Sequence, residues 1–310
     1  MADTPLAKLD IPSVRVAIVG FGKMGQLHLK ALRNLPEVDV IAAVDPDPAR
    51  RVIADALDIA SLPTLDDLMG AVDAAIVATP SDRHASIAIE LLNRGVDCLV
   101  EKPIALDPNE ARLMLDAAAG GAVLAVGQSE RFNNGLDRAL EVMEGIGGDV
   151  TVLRTARPGA DDSPADVIQD LMVHDLDWVL RREGDCTPAL KVTALQHVAG
   201  RLVGATCWLR FATRSYQVTA RYDAAAPERT VTLHPIGQPP RSFSLRHDSS
   251  GSNADPLTRQ AIAFLAHRRG LPSAICTGEE ALQVLELTER LRQICRLTEP
   301  MELRLESYPL

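Results

Sequence analysis

Val14-Arg15-Val16-Ala17-Ile18-Val19-Gly20-Phe21-Gly22-Lys23-Met24-Gly25 decides the fold. Val14 to Val19 is apolar at nearly every position and rich in β-branched residues, the pattern of a strand buried on both faces of a parallel sheet. Glycines 20, 22 and 25 follow at once, then a helical stripe of Met24, Leu27, Ala31 and Leu35. Gly20 permits a tight turn, Gly22 lets the backbone approach a pyrophosphate, and Gly25 brings the helix against the strand. Free N–H groups and the helix dipole at such a turn attract phosphate charge. A second strand, Val38 to Val44, ends at Asp45, where this fingerprint requires an acidic residue to hold the ribose hydroxyls. Its charge would repel a 2′-phosphate, so NAD is expected over NADP, with Arg50 and Arg51 near enough to soften that preference.

Outward from this turn the strands and helices alternate. Asp47-Pro48 and Asp107-Pro108 each place an N-cap and a first-turn proline for a helix. Ala74 to Ala78 is a third core strand closed by Thr79-Pro80-Ser81, and the helix His84 to Asn93 ends at Gly95. Strand Val96 to Val100 delivers Glu101-Lys102-Pro103 to the carboxyl edge of the sheet, where doubly wound folds bind ligands. Strand Ala122 to Val126 leads into Gly127-Gln128-Ser129-Glu130-Arg131-Phe132-Asn133. This rhythm predicts a Rossmann domain over residues 1–129 with a doubly wound parallel sheet. Beyond it, runs at 150–157, 190–198, 203–211, 214–222 and 229–234 alternate without intervening helices, apart from one carrying His174. They predict a second, α+β domain over 130–310 with a largely antiparallel sheet, closed by helices near 256–268 and 278–296. Residues 246–256 read as a loop. The fold class expected is therefore α/β, a Rossmann half followed by an α+β half.

The composition restricts function. At 46% hydrophobic and 24% charged, the chain is an ordinary globular one. A net charge of −10 argues against a nucleic-acid surface, which needs a basic patch. Local arginines can still gather around an anionic ligand. No apolar run is long enough to span a bilayer, and residues 1–13 carry no signal-peptide core, so a cytoplasmic location is expected. Five cysteines without a Cys-x-x-Cys pair, most among apolar neighbours, fit buried reduced thiols. The histidines show no metal-ligand spacing, so no metal is expected.

The helix around Gln169-Asp170-Leu171-Met172-Val173-His174 carries the candidate chemistry. Ile168, Leu171, Met172, Leu176 and Val179 form its apolar stripe, while Asp170, His174, Asp177 and Arg181 follow at helical spacing on another face. A carboxylate one turn before an imidazole can fix its tautomer and raise its basicity. A solvated charged face would look the same. The preceding dinucleotide turn and Lys102 favour the chemical reading. Arg131, Arg154 and Arg157 lie near the domain junction, and guanidinium groups suit a diphosphate. Strand alternation sets Arg154 and Arg157 on opposite faces, so Arg131 with one of them forms the expected clamp.

These segments together, with Ala78-Thr-Pro-Ser-x-x-His84, Glu101-Lys102-Pro103 and Asp170-x-x-x-His174, resemble the glucose–fructose oxidoreductase/inositol dehydrogenase family from about Val14 to Arg296. The resemblance implies that Lys102 and His174 face the nicotinamide, with Asp170 as partner of the histidine. It implies cofactor contacts from Gly20, Phe21, Gly22, Lys23, Met24, Gly25, Asp45, Thr79, Pro80, His84, Glu101, Lys102 and Gln128. Substrate contacts would come from Lys102, Arg131, Asn133, Arg154, Arg157, Asp170 and His174. Gln128 to Asn133 and Asp170 to Asp177 look most like the branch that oxidises the 3-hydroxyl of UDP-N-acetylglucosamine ahead of an aminotransferase, as in making 3-amino sugars for lipid A. One departure is Asn134, where related segments carry proline. The resemblance further implies a homodimer or homotetramer packed through the C-terminal sheets. A cyclitol or free-sugar dehydrogenase, or a non-catalytic NAD-binding sensor, is the alternative.

Overall fold

The computed structural model describes residues 13–68, 72–144, 146–157, 165–184, 186–222, 227–246 and 255–305, with side chains to 297. The leader and nearly all of the loop expected at 246–256 lie outside the described residues. The first half runs β1 (Val14–Val19), α1 (Lys23–Leu32), β2 (Val38–Val44), α2 (Pro48–Ala56), β3 (Ser61–Leu62), β4 (Ala74–Val77), α3 (His84–Asn93), β5 (Asp97–Glu101), α4 (Pro108–Ala118) and β6 (Leu124–Gly127). Neighbouring strands pair in parallel in the order β6-β5-β4-β1-β2-β3. β1 shows why the sheet needs two helical layers. Val16 and Ile18 are buried in one core and Ala17 and Val19 in the opposite one, so both faces are apolar. The helix starts are fixed as the capping residues require, with Asp47 accepting from Ala49 N at 2.9 Å and Asp107 from Asn109 N at 2.7 Å.

The second half runs α5 (Asn134–Glu144), β7 (Gly148–Ala156), a π turn at Ile168–Met172, α6 (Val173–Glu183), β8 (Ala189–Val198), β9 (Arg201–Arg210), β10 (Ser215–Tyr222), β11 (Arg229–Pro235), β12 (Arg241–Ser244), α7 (Pro256–Arg268), β13 (Cys276–Thr277) and α8 (Gly278–Leu305). The sheet order is β12-β11-β7-β10-β9-β8. Every pair is antiparallel except β7 with β10, because the chain leaves β7 through a helical crossover and returns by the β8–β9–β10 meander. The apolar stripe Ile168, Leu171, Met172, Leu176 and Val179 is buried against this sheet in one core with α5 and α8 residues. α5, β12 and β13 had no counterpart in the sequence analysis, and α8 runs well past 296. β13 pairs antiparallel with β6, so the C-terminal chain closes the edge of the first sheet before α8 packs on α4 and α6.

Candidate active site

Steric fit fixes the glycine turn. Gly20 has φ +89°, and a Cβ there would lie 2.6 Å from Ala78 O. A Cβ on Gly25 would lie 2.1 Å from Gly20 O, so helix and strand touch through backbone. At Gly22 a Cβ would meet only the Arg50 guanidinium, at 3.4 Å, which leaves an open approach. Asp45 is 2% exposed at the end of β2 and accepts from Phe21 N at 2.7 Å and Asp47 N at 2.9 Å. Each carboxylate oxygen keeps a further lone pair for a ribose hydroxyl. Arg50 lies 3.5 Å from the same carboxylate, and Arg51 donates to Asp45 O. Lys23 is exposed and Met24 half-buried in the first turn of α1, and Thr79 Oγ1, just past β4, is buried without a partner. An open glycine turn, an anchored carboxylate and an orphaned hydroxyl fit a dinucleotide.

Beside it, β5 delivers Glu101 and Lys102. Glu101 Oε1 lies 2.6 Å from His28 Nε2 in a buried pair, and Lys102 N donates to Glu101 Oε2. Burial works to raise the Glu101 carboxyl, but His28 and then Lys102 outweigh it and hold it below its ordinary range. His84 is buried, with Nδ1 2.8 Å from Pro103 O and Nε2 2.9 Å from Thr79 O. Burial lowers the His84 pKa and favours the neutral ring, which donates to one of these carbonyls at a time, so His84 sits between the loops after β4 and β5. Pro80 is exposed. Gln128 is buried against a small cavity lined by Pro103, Ile104, Val173, Val284 and Thr288, with Oε1 unpartnered.

Lys102 Nζ donates to Asp170 Oδ1 at 2.8 Å and to Asp170 O at 2.9 Å, and Tyr222 donates to Asp170 Oδ2 at 2.7 Å. Burial opposes the charge on Asp170, yet Lys102 and then Tyr222 hold its carboxyl below the ordinary range. Asp170 is therefore the partner of Lys102 and Tyr222, and it makes no hydrogen bond to His174. The π turn at Ile168–Met172 shifts the helical phase, so spacing-based pairing of Asp170 with His174 fails. His174 Nδ1 is buried without a partner. Burial first, then the positive charges of Lys102, Arg154 and Arg229, keep its pKa well below the ordinary imidazole value.

The expected diphosphate clamp does not survive the geometry. Arg131 donates to both oxygens of Asp177 and to Glu280, with its side chain 1% exposed. Arg154 grips Asp175 through Nε and Nη2 at 2.7 and 2.8 Å and sits 2.9 Å from Glu130. Both are structural cations sealed from the cleft. Asn133 is buried as well, donating to Glu130 and Leu245 O and accepting from Gly135 N at the start of α5. Asn134, in place of proline, accepts from Arg259 Nη1 at 2.6 Å. Arg157 is exposed past the end of β7. His28, Tyr222 and Arg229 escaped the sequence analysis. His28 had one usable signal, its place three residues after Gly25, whereas Tyr222 and Arg229 reach the site only through strand pairing.

Residues 14–128 match the GFO_IDH_MocA family, an oxidoreductase family with an NAD-binding Rossmann fold. That match covers the Rossmann half of the chain. It is 28% identical over 197 residues to UDP-N-acetylglucosamine 3-dehydrogenase of Acidithiobacillus ferrooxidans, spanning 63% of this chain and 63% of that enzyme. Inositol 2-dehydrogenase of Rhizobium meliloti is 28% identical over 194 residues, 59% of this chain and 58% of its own length. The chain thus matches these relatives over less than two thirds of their length. The crystal structure of the Acidithiobacillus enzyme superposes with a TM-score of 0.79 at 24% identity, covering 91% of this chain and 97% of that one. The WlbA dehydrogenase of Bordetella pertussis, solved with NADH and UDP-GlcNAcA, gives 0.78 at 18% identity over 92% and 96%. These superpositions establish the fold, a Rossmann sheet joined to a mostly antiparallel one. Among the described residues no group of three His, Cys, Asp or Glu could hold a metal, and no helix is long and apolar enough to cross a membrane.

Proposed function

We propose that this protein is an NAD-dependent dehydrogenase of a nucleotide sugar, oxidising the 3-hydroxyl of UDP-N-acetylglucosamine to the ketone. The observation that carries the reading is Lys102, clamped by Asp170 at the sheet edge, beside a His174 whose buried Nδ1 has no partner. The depressed pKa keeps the His174 imidazole neutral near pH 7, free to accept the hydroxyl proton. The Lys102 ammonium, its direction set by two oxygens of Asp170, stabilises the developing alkoxide. Tyr222 holds the second carboxylate oxygen and so keeps Asp170 from turning away. Bound NAD, held by the glycine turn and Asp45, supplies the hydride acceptor.

The choice of a UDP-sugar draws on the Acidithiobacillus relative and on the ligand of the Bordetella structure. The keto sugar would then pass to an aminotransferase, giving a 3-amino sugar such as those of lipid A. The enzyme would work in the cytoplasm as a homodimer or homotetramer joined through the second sheet. A second reading, a cyclitol or free-sugar dehydrogenase, draws on the inositol 2-dehydrogenase relative.

The test crosses NAD and NADP with UDP-N-acetylglucosamine, free N-acetylglucosamine and myo-inositol, following NADH or NADPH formation. NADH from the UDP-sugar, faster than NADPH, is expected. His174→Ala and Lys102→Met should each lower kcat by roughly 10²–10⁴-fold while NAD still binds. The base must be deprotonated to act, so the acid limb of the wild-type kcat/KM profile should fall below the ordinary imidazole pKa. Preference for myo-inositol would favour the second reading, full activity in His174→Ala would remove the proposed base, and no turnover with any substrate would leave the sensor.

A further inference from the structure

Arg229 is the first residue of β11 and stands directly opposite Arg154 on β7. Like charges facing each other across two strands repel, so anions must compensate them. Among the described residues two carboxylates serve the pair, and both favour Arg154. Asp175 binds Arg154 through both oxygens, and Glu130 sits 2.9 Å from Arg154 but 3.9 Å from Arg229. The Arg229 side chain is 47% exposed, against 2% for Arg154. A further guanidinium adds to the excess. Leu245 N donates to Arg229 O, which sets Arg246 alongside, and Arg246 is exposed with Nη2 on Pro227 O. Burial first, and then repulsion from Arg154, push the Arg229 pKa down. The cluster neighbours the reacting centre, because the Asp175 gripped by Arg154 is the residue next to His174, and the charge of Arg229 is felt at that imidazole.

We infer that Arg229, flanked by Arg246, seats the diphosphate of the substrate. The inference rests on the nucleotide-sugar reading and replaces the sealed Arg131 and Arg154 with a cation that a ligand can reach. In a UDP-sugar the diphosphate hangs from the anomeric carbon, one pyranose ring from the hydroxyl to be oxidised. A cationic seat beside the Arg154–Asp175 pair that adjoins His174 then orients that hydroxyl toward the base.

The test is calorimetric titration of the NADH-loaded protein with UDP and, separately, with uridine. UDP should bind the wild type, and Arg229→Gln should weaken it about 10–100-fold, the loss of one charge-assisted hydrogen bond. Arg229→Lys should recover part of the loss, and NADH affinity should be the same in all three proteins. Uridine, without phosphates, should bind wild type and Arg229→Gln alike. Undiminished UDP affinity in Arg229→Gln would overturn this inference while leaving the nucleotide-sugar reading intact. A wild type that binds no UDP and oxidises only uncharged sugars would overturn both.

Discussion

Arg131 donates through Nε and Nη2 to the two oxygens of Asp177, at 2.7 and 2.6 Å, and through Nη1 to Glu280 and Ile275 O. Arg131 and Asp177 are both 1% exposed in their side chains, so the pair exists without solvent screening. Truncating one partner strands the other charge in the interior, which typically costs about 3–5 kcal/mol. Arg131→Met should therefore lower the free energy of unfolding by about that much, read from urea denaturation. NAD affinity of the folded variant should stay near wild type. An unchanged denaturation midpoint would contradict the buried role. That Lys102 and His174 come close to each other was legible, because one sits at a strand end and the other on a patterned helix at the same sheet edge. The partner of Asp170 was not, since spacing arguments assume a regular α-helix and the π turn at Ile168–Met172 breaks that assumption. The arginines were misread for a related reason. Composition shows how many cations a segment carries, but only packing shows which carboxylates neutralise them.

At the scale of elements, the glycine turn separates two functions that one motif combines. Gly25→Ala would drive a Cβ to 2.1 Å from Gly20 O, so α1 must move off β1. Its melting temperature should fall together with NAD affinity. Gly22→Ala meets only the end of a flexible arginine, at 3.4 Å, so the fold should tolerate it. The melting temperature of Gly22→Ala should stay near wild type while NAD affinity drops, because the added methyl occupies the approach to the pyrophosphate. Equal thermal losses in the two variants would contradict that division. The same reasoning explains α5, which sequence analysis left unassigned. Asn133 caps its first turn, and Gly135 is required because a Cβ there would lie 2.3 Å from Ser244 O on β12. A glycine selected for close packing reads in sequence as a helix breaker. β13 escaped because a two-residue strand has no periodicity to detect.

Over the whole molecule, the proposed reacting groups belong to both sheets. Lys102 follows β5 of the parallel sheet, Asp170 and His174 lie on the helix packed against the second, and Tyr222 ends β10. Lys102–Asp170 and Arg131–Asp177 tie the two halves across the cleft, while β13 pairs with β6 and α8 covers both layers. The two-sheet architecture could be read from the change in hydrophobic rhythm near residue 150, since burial on two faces and burial on one leave different patterns. The cross-links could not, because each joins residues far apart in sequence that share no local pattern. The proposed reaction removes hydride from C3 of a UDP-sugar in this cleft. The direct measurement is to supply UDP-N-acetylglucosamine carrying deuterium on C3, with NAD, and to analyse both products by mass spectrometry. One deuterium should appear on the reduced nicotinamide for each ketone formed. Reduced cofactor without label, or no reduction at all, would contradict the account.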